Sequence, residues 1–197
     1  MDIIAATRNK GKLKELKELF KDLPVNLLSL NDFVNLPEVK EDGSTFQENA
    51  LKKAKIVAEI TGFTALADDS GLVIDALDGR PGIHSARFSG DNAKDADNIR
   101  KVLDLLEKVP ENKRLARFKT SICLCFPDGK IKFTEGVCEG KIIFAPRGIN
   151  GFGYDPIFVP RGYKKTFGEL SDTVKNRISH RAKAMKEIRK ILGGFKS

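Results

Sequence analysis

The chain has 197 residues and a formal net charge of +8, from 35 basic and 27 acidic side chains. With 41% hydrophobic and 31% charged residues it has the balance of a globular domain able to bury a core. No apolar run approaches the roughly 18 residues of a membrane span, and Met1-Asp2-Ile3-Ile4-Ala5-Ala6 lacks the basic start of a signal peptide, so a cytoplasmic protein is expected.

Residues 2–6 read as a first strand. Residues 11–23 predict a helix with Leu13, Leu16, Phe20 and Leu23 along one stripe, and 25–30 predict a second strand. Thr45-Phe46-Gln47-Glu48 is a capping-box pattern. It opens a helix through residue 61, with Gly62 as its stop. Residues 64–67 and 72–77 predict two strands on either side of an acidic segment. A turn follows at 78–82, then a helix over 95–108 with Ile99, Val102, Leu103 and Leu106 inward. Residues 118–126 and 131–137 predict a hairpin across Pro127-Asp128-Gly129, and 141–144 continue that sheet. Ser179 caps a last helix whose Ala182, Met185, Ile188 and Leu192 face the core. Strands and helices mix without strict βαβ alternation, which predicts an α/β fold with a mixed sheet flanked by helices. No repeat and no long linker divides the chain, so residues 1–197 are expected to form a single domain.

Four segments carry chemistry. Ala67-Asp68-Asp69-Ser70-Gly71-Leu72 places two acids and a hydroxyl after an apolar strand. Such a segment is either a polar turn or a set of oxygen ligands at a sheet rim, where α/β proteins place their sites. Oxygen-only ligands suit Mg²⁺ shared with substrate phosphates. Thr7-Arg8-Asn9-Lys10-Gly11-Lys12 joins the first strand to the first helix. It is either an ordinary loop or a phosphate seat at a helix start, and it is not a P-loop, because Leu13 stands where Ser or Thr would be. Gly148-Ile149-Asn150-Gly151-Phe152-Gly153-Tyr154-Asp155-Pro156 alternates glycines with aromatics, as a packed loop or as a platform for a flat base. Lys175 and Ser179-His180-Arg181 bring cations to the start of the last helix. Arg87 is a candidate phosphate clamp, and His84 is given no catalytic role. The odd cysteine count, with Cys123, Cys125 and Cys138, fits no zinc pattern and reads as apolar packing in a reducing compartment. The basic balance favours anionic partners, yet no nucleic-acid module signature is present.

Taken in order, these segments resemble the inosine triphosphate pyrophosphatase family. The resemblance includes Glu41-Asp42-Gly43-Ser44-Thr45-Phe46 with Glu48-Asn49-Ala50, and Pro81-Gly82 with Ser85-Ala86-Arg87, and spans residues 7–181. It implies an elongated mixed sheet with two lobes and a substrate cleft between them. It implies hydrolysis of ITP, dITP and XTP to the monophosphate and diphosphate, with Mg²⁺ as cofactor. Asp69 would be the catalytic carboxylate and a metal ligand, with Glu41 as second metal carboxylate and Glu38 as rival for that place. Thr7, Arg8, Asn9, Lys10, Gly11, Lys12, Lys53 and Arg87 would serve the phosphates, and Ser70 would touch substrate. Phe152, Gly153, Tyr154, Asp155, Lys175, His180 and Arg181 would hold the nucleotide, mainly its base. A homodimer is implied, with no membrane and no stable nucleic-acid partner.

Overall fold

A computed structural model describes residues 1–33 and 36–193. The first strand, β1 (Asp2–Ala5), leads to helix α1 (Lys10–Phe20), strand β2 (Asn26–Ser29) and helix α2 (Phe46–Thr61). The long strand β3 (Thr64–Ile74) is followed by α3 (Asp95–Leu105), β4 (Leu115–Cys125) and β5 (Ile131–Ile142). The chain ends with β6 (Phe158–Pro160), α4 (Asp172–Ile178) and α5 (His180–Gly193). One six-stranded sheet has the order β2-β1-β3-β4-β5-β6. It is mixed: β1 runs parallel to both β2 and β3, while β6 is antiparallel to β5.

Local chemistry explains most boundaries. Thr45 caps α2 by accepting the Glu48 N–H at 3.1 Å. Glu48 does not complete the box at Thr45; its carboxylate takes the Ser44 N–H at 2.7 Å and the Ser44 hydroxyl at 2.8 Å. Gly62 ends the helix with φ 69°, a left-handed conformation that glycine adopts without strain. β5 runs unbroken from residue 131 to 142 and so takes in the first half of the stretch expected to continue the sheet at 141–144, while 143 and 144 lie beyond its end. Its alternation persists, with Thr134, Gly136 and Cys138 inward and Glu135 and Glu139 outward. No described helix is long and apolar enough to cross a membrane.

The chain divides into two compact units. The first comprises Met1–Asp69, Thr120–Gly136 and Ala182–Ser197. Its core lies on both faces of the sheet. Ile4, Ala65, Ala67 and Cys123 pack with Ala54 and Val57 of α2. Ile3, Leu66 and Ile122 pack with Leu16 of α1 and Met185 of α5. Neighbouring residues of one strand thus serve opposite faces, as the two-residue period of a strand requires. The second unit comprises Ser70–Lys119 and Val137–Arg181, with Leu72, Ile74, Val102, Phe118, Phe158 and Phe167 in its core.

All three cysteines are buried free thiols. Burial pushes the Cys123 thiol up to about 12, and the neighbouring Cys125 adds to the effect. A thiol with that pKa is thiolate in only about one molecule in 10⁴ at pH 8. The native protein is therefore expected to resist a thiol reagent such as dithionitrobenzoate for hours and to react at all three sites once denatured. Rapid reaction at Cys123 in the native state would contradict this packing.

Candidate active site

The acidic segment, expected to separate two strands at 64–67 and 72–77, is instead the middle of one continuous strand, β3. β1 pairs with β3 only as far as Ala5 opposite Leu66, and its last bond runs from the Ala6 N–H to the Leu66 carbonyl at 2.7 Å. The acids follow directly after this point, so the rim lies where β1 stops rather than where β3 stops. Asp, Ser and Gly are weak strand formers, and here the place of β3 between β1 and β4, with partners to the Asp68, Asp69 and Ser70 side chains, overrides that preference.

Strand alternation separates the two acids. Asp68 shares the face of Leu66, toward α1; Asp69 shares the face of Ala65 and Ala67, toward α2. Asp69 is 4% exposed. Its Oδ1 is 3.0 Å from the Lys53 Nζ, and its Oδ2 accepts from the Asn49 Nδ2 at 3.2 Å. Asn49 and Lys53 stand one turn apart on α2 and present one face. The Asn49 Oδ1 also accepts the Gly43 N–H at 2.8 Å, which ties the segment bearing Glu41 to the helix. Glu41 Oε1 reaches the same Lys53 ammonium at 2.6 Å. Lys53 donates further to the Asp68 carbonyl at 3.0 Å. Glu38 is exposed and has no polar partner among the described residues.

Across the sheet, Lys12 pairs with Asp68 Oδ2 at 3.1 Å and donates to the Asp68 carbonyl at 3.2 Å. Thr120 of β4 donates to Asp68 Oδ1. Burial pushes the Asp69 carboxyl above the usual carboxylate range, against the pull of Lys53 and Lys12. Burial works against the Lys53 charge, yet Asp69 and Glu41 hold its pKa above that of an ordinary lysine. The carboxylates of Glu41, Asp68 and Asp69 thus meet the ammonium groups of Lys12 and Lys53 in one cluster.

The loop from β1 to α1 begins the phosphate candidates. Asn9 caps α1 by accepting the Lys12 N–H at 2.9 Å, and Thr7 Oγ1 accepts the Asn9 N–H at 3.2 Å. Arg8 is tied to the Leu36 carbonyl at 3.0 Å. Lys10 opens the helix and is exposed, with Gly11 half-buried beside it.

In the second unit, Asp155 accepts the Phe152 N–H at 2.8 Å and pairs with the Lys175 ammonium. Gly151 permits this loop: its φ is +75°, and a Cβ there would meet Asp155 Oδ2 at 2.0 Å. Lys175 stands 4.7 Å from the Phe152 ring centroid, and the Arg181 guanidinium stands 5.9 Å from it. Arg181 also donates to Ser70 Oγ at 3.0 Å. His180 stacks on Phe118 with centroids 4.9 Å apart. Gly153 donates its N–H to Asp95 at 2.6 Å. Tyr154 is buried, with its hydroxyl donated to the Ser85 carbonyl at 2.8 Å, so it anchors the loop. Arg87 ends a half-buried 3₁₀ turn, Gly82–Arg87. A surface cavity of about 420 Å³ in this unit, beside Phe144 and Tyr163, is lined by none of these residues.

Asn49, Asp68 and Thr120 were not among the sequence-predicted site residues. The spacing of Asn49 to Lys53 on a helix and the alternation of Asp68 with Asp69 are signals that find the first two. Nothing in the sequence singles out Thr120.

The residues fit a hard cation. Glu41 Oε1 and Asp69 Oδ1 converge on one point, now marked by an ammonium. Among the described residues no group of three or more His, Cys, Asp and Glu forms a metal cage. Two carboxylates with room for phosphates and water are what Mg²⁺ takes.

Carboxylates and lysines gathered at a buried rim are the equipment of an enzyme acting on phosphates, where charge neutralisation does most of the work. The chain belongs to the Ham1 family, whose model matches residues 3–191. A dITP/XTP pyrophosphatase of Geobacter sulfurreducens is 52% identical over 191 residues, covering 97% of this chain and 96% of the relative. A dITP/XTP pyrophosphatase of Desulforamulus reducens is 51% identical, covering 98% and 96%. The structure of a HAM1 protein from Coxiella burnetii superposes with a TM-score of 0.89 at 43% identity, covering 98% of this chain and 99% of that one.

Proposed function

We propose that this chain hydrolyses non-canonical purine nucleoside triphosphates, namely ITP, dITP and XTP, to the monophosphate and diphosphate with Mg²⁺. The observation that carries the reading is the convergence of the Glu41 and Asp69 carboxylates on one point, marked by the Lys53 ammonium. The names of the Geobacter and Desulforamulus relatives support the substrate class.

In this reading Asp69 and Glu41 hold the metal, which when bound neutralises phosphate charge and orients the attacking water. In this reading Asp69 also takes the proton of the attacking water. Water attacks the α-phosphorus, the bond to the bridging oxygen breaks, and diphosphate leaves. Lys12 and Lys53 offset the charge that develops on it, with the Thr7 to Gly11 loop and Arg87 on the remaining phosphate oxygens. Phe152 to Asp155, Lys175, His180 and Arg181 take the base, and Ser70 the adjoining part of the nucleotide. The whole chain acts as one catalytic domain, in the cytoplasm and as a homodimer, on the strength of the family resemblance.

Hydrolysis of ITP in ¹⁸O-water tests the reading. The label is expected in IMP, with one diphosphate released per IMP and activity dependent on Mg²⁺. Label in the diphosphate, or release of single phosphates, would overturn it.

A further inference from the structure

We infer that Thr120 is a positioning residue, whose hydroxyl fixes Asp68 so that Asp68 holds Lys12 in place for the leaving diphosphate. The inference rests on the hydrolase reading for the role of Lys12 and deepens it.

The acid pair divides its labour because alternation divides its faces. Asp69 meets Lys53 and Asn49 on the α2 side. Asp68 meets Lys12 and Thr120 on the other. The Asp68 side chain is fully buried, and a buried carboxylate needs hydrogen bonds as well as a counter-ion. Thr120 supplies the hydrogen bond to Oδ1. Its Oγ1 also lies 3.2 Å from the Asp69 carbonyl, so one hydroxyl spans both acids of β3. A charged acceptor draws the single proton more strongly, which assigns it to Asp68.

Threonine suits the task because its β-branched side chain is stiff in a strand. The Asp68 carboxylate turns easily about its last torsion. With Oδ1 held by Thr120, Oδ2 is left facing Lys12. Lysine is a point charge on a flexible stem, so its place depends on what holds it. Lys12 is anchored on Asp68 twice, at the carboxylate at 3.1 Å and at the carbonyl at 3.2 Å. Removing the Thr120 hydroxyl would therefore loosen Lys12 while leaving the Glu41 and Asp69 carboxylates on their own partners, Lys53 and Asn49.

The test measures inorganic diphosphate binding by calorimetry alongside ITP kinetics. Thr120→Val keeps the shape and removes the hydroxyl. It is expected to weaken diphosphate binding and to raise KM for ITP by about tenfold, the scale of one lost charge-assisted hydrogen bond. The half-saturating Mg²⁺ concentration and kcat stay near those of the parent, and Thr120→Ser restores tight binding. In the Lys12→Met background, Thr120→Val is expected to add nothing further, because both changes remove one interaction. Asp68→Asn, tested beside them, is expected to weaken diphosphate binding likewise should Thr120→Val fold poorly. Parent-like diphosphate binding in Thr120→Val or in Asp68→Asn overturns the inference, as does additivity with Lys12→Met or failure of Thr120→Ser to restore binding. Since binding is read without turnover, a parent that cannot hydrolyse ITP would fail the hydrolase reading, whereas these outcomes fail this one.

Discussion

Asp69→Asn is expected to fold like the parent and to lose at least about 10²-fold in kcat for ITP, the usual scale for removing one well-placed electrostatic element. The amide matches the carboxylate in shape, so packing around β3 survives. Burial already works against the Asp69 charge, which offsets part of what the fold loses when Lys53 and Asn49 give up a charged acceptor. Function is another matter. The two Asp69 oxygens accept from Lys53 and Asn49, both donors. An asparagine must turn its own NH₂ toward one of them, and either choice sets donor against donor. Lys53 would keep only Glu41 as carboxylate partner, and the cation position would lose half of its charge. Circular dichroism and thermal melting check the fold, and diphosphate release checks the rate. Near-normal turnover would sink the assignment of Asp69.

How much of this was legible before the structure depended on the range of the interactions involved. α2 was legible because its signals are local: Thr45 caps it, Gly62 ends it, and its apolar stripe repeats with the helical period. The last helix was equally plain, and its expected core residues Ala182, Met185, Ile188 and Leu192 are all buried. β6 and α4 were missed. The strand has three residues and ends in proline, and the helix has seven, too few for either period to register. The continuous β3 was missed for a different reason. Asp68-Asp69-Ser70-Gly71 reads as a turn locally, and only Lys12, Lys53, Asn49 and Thr120, all distant in sequence, make it a strand. The same logic applies to the site. Asp69 was nameable from its motif and Lys53 from the family resemblance, whereas the use of Asp68 and Thr120 follows from which face each side chain takes, and for Thr120 from a pairing between strands.

The second large effect concerns the base. ITP, dITP and XTP are expected to exceed ATP in kcat/KM by about 10²-fold or more, and sites built around hydrogen bonds reach about 10⁴. Two of the groups proposed to meet the base are donors alone. Lys175 and Arg181 carry no acceptor, and both are almost wholly buried beside the Phe152 ring. Asp155, the nearby acceptor, already takes the Phe152 N–H and the Lys175 ammonium. Hypoxanthine and xanthine offer a position-6 oxygen to such donors. Adenine offers an amino group, which leaves buried donors facing a donor, and each unpaired polar group costs about 1–3 kcal/mol. Guanine keeps the position-6 oxygen, so its rejection must come from its 2-amino group. Xanthine bears an oxygen there and is still accepted, which argues for a second donor near position 2 rather than for crowding. Hypoxanthine has only hydrogen at that position and neither satisfies nor opposes such a donor. GTP should therefore fall with ATP, and XTP should stand at least level with ITP. Steady-state rates across ITP, dITP, XTP and the four canonical triphosphates measure all of this at once. Comparable kcat/KM values for GTP, ATP and ITP would remove the selectivity for non-canonical bases while leaving the pyrophosphohydrolase chemistry in place.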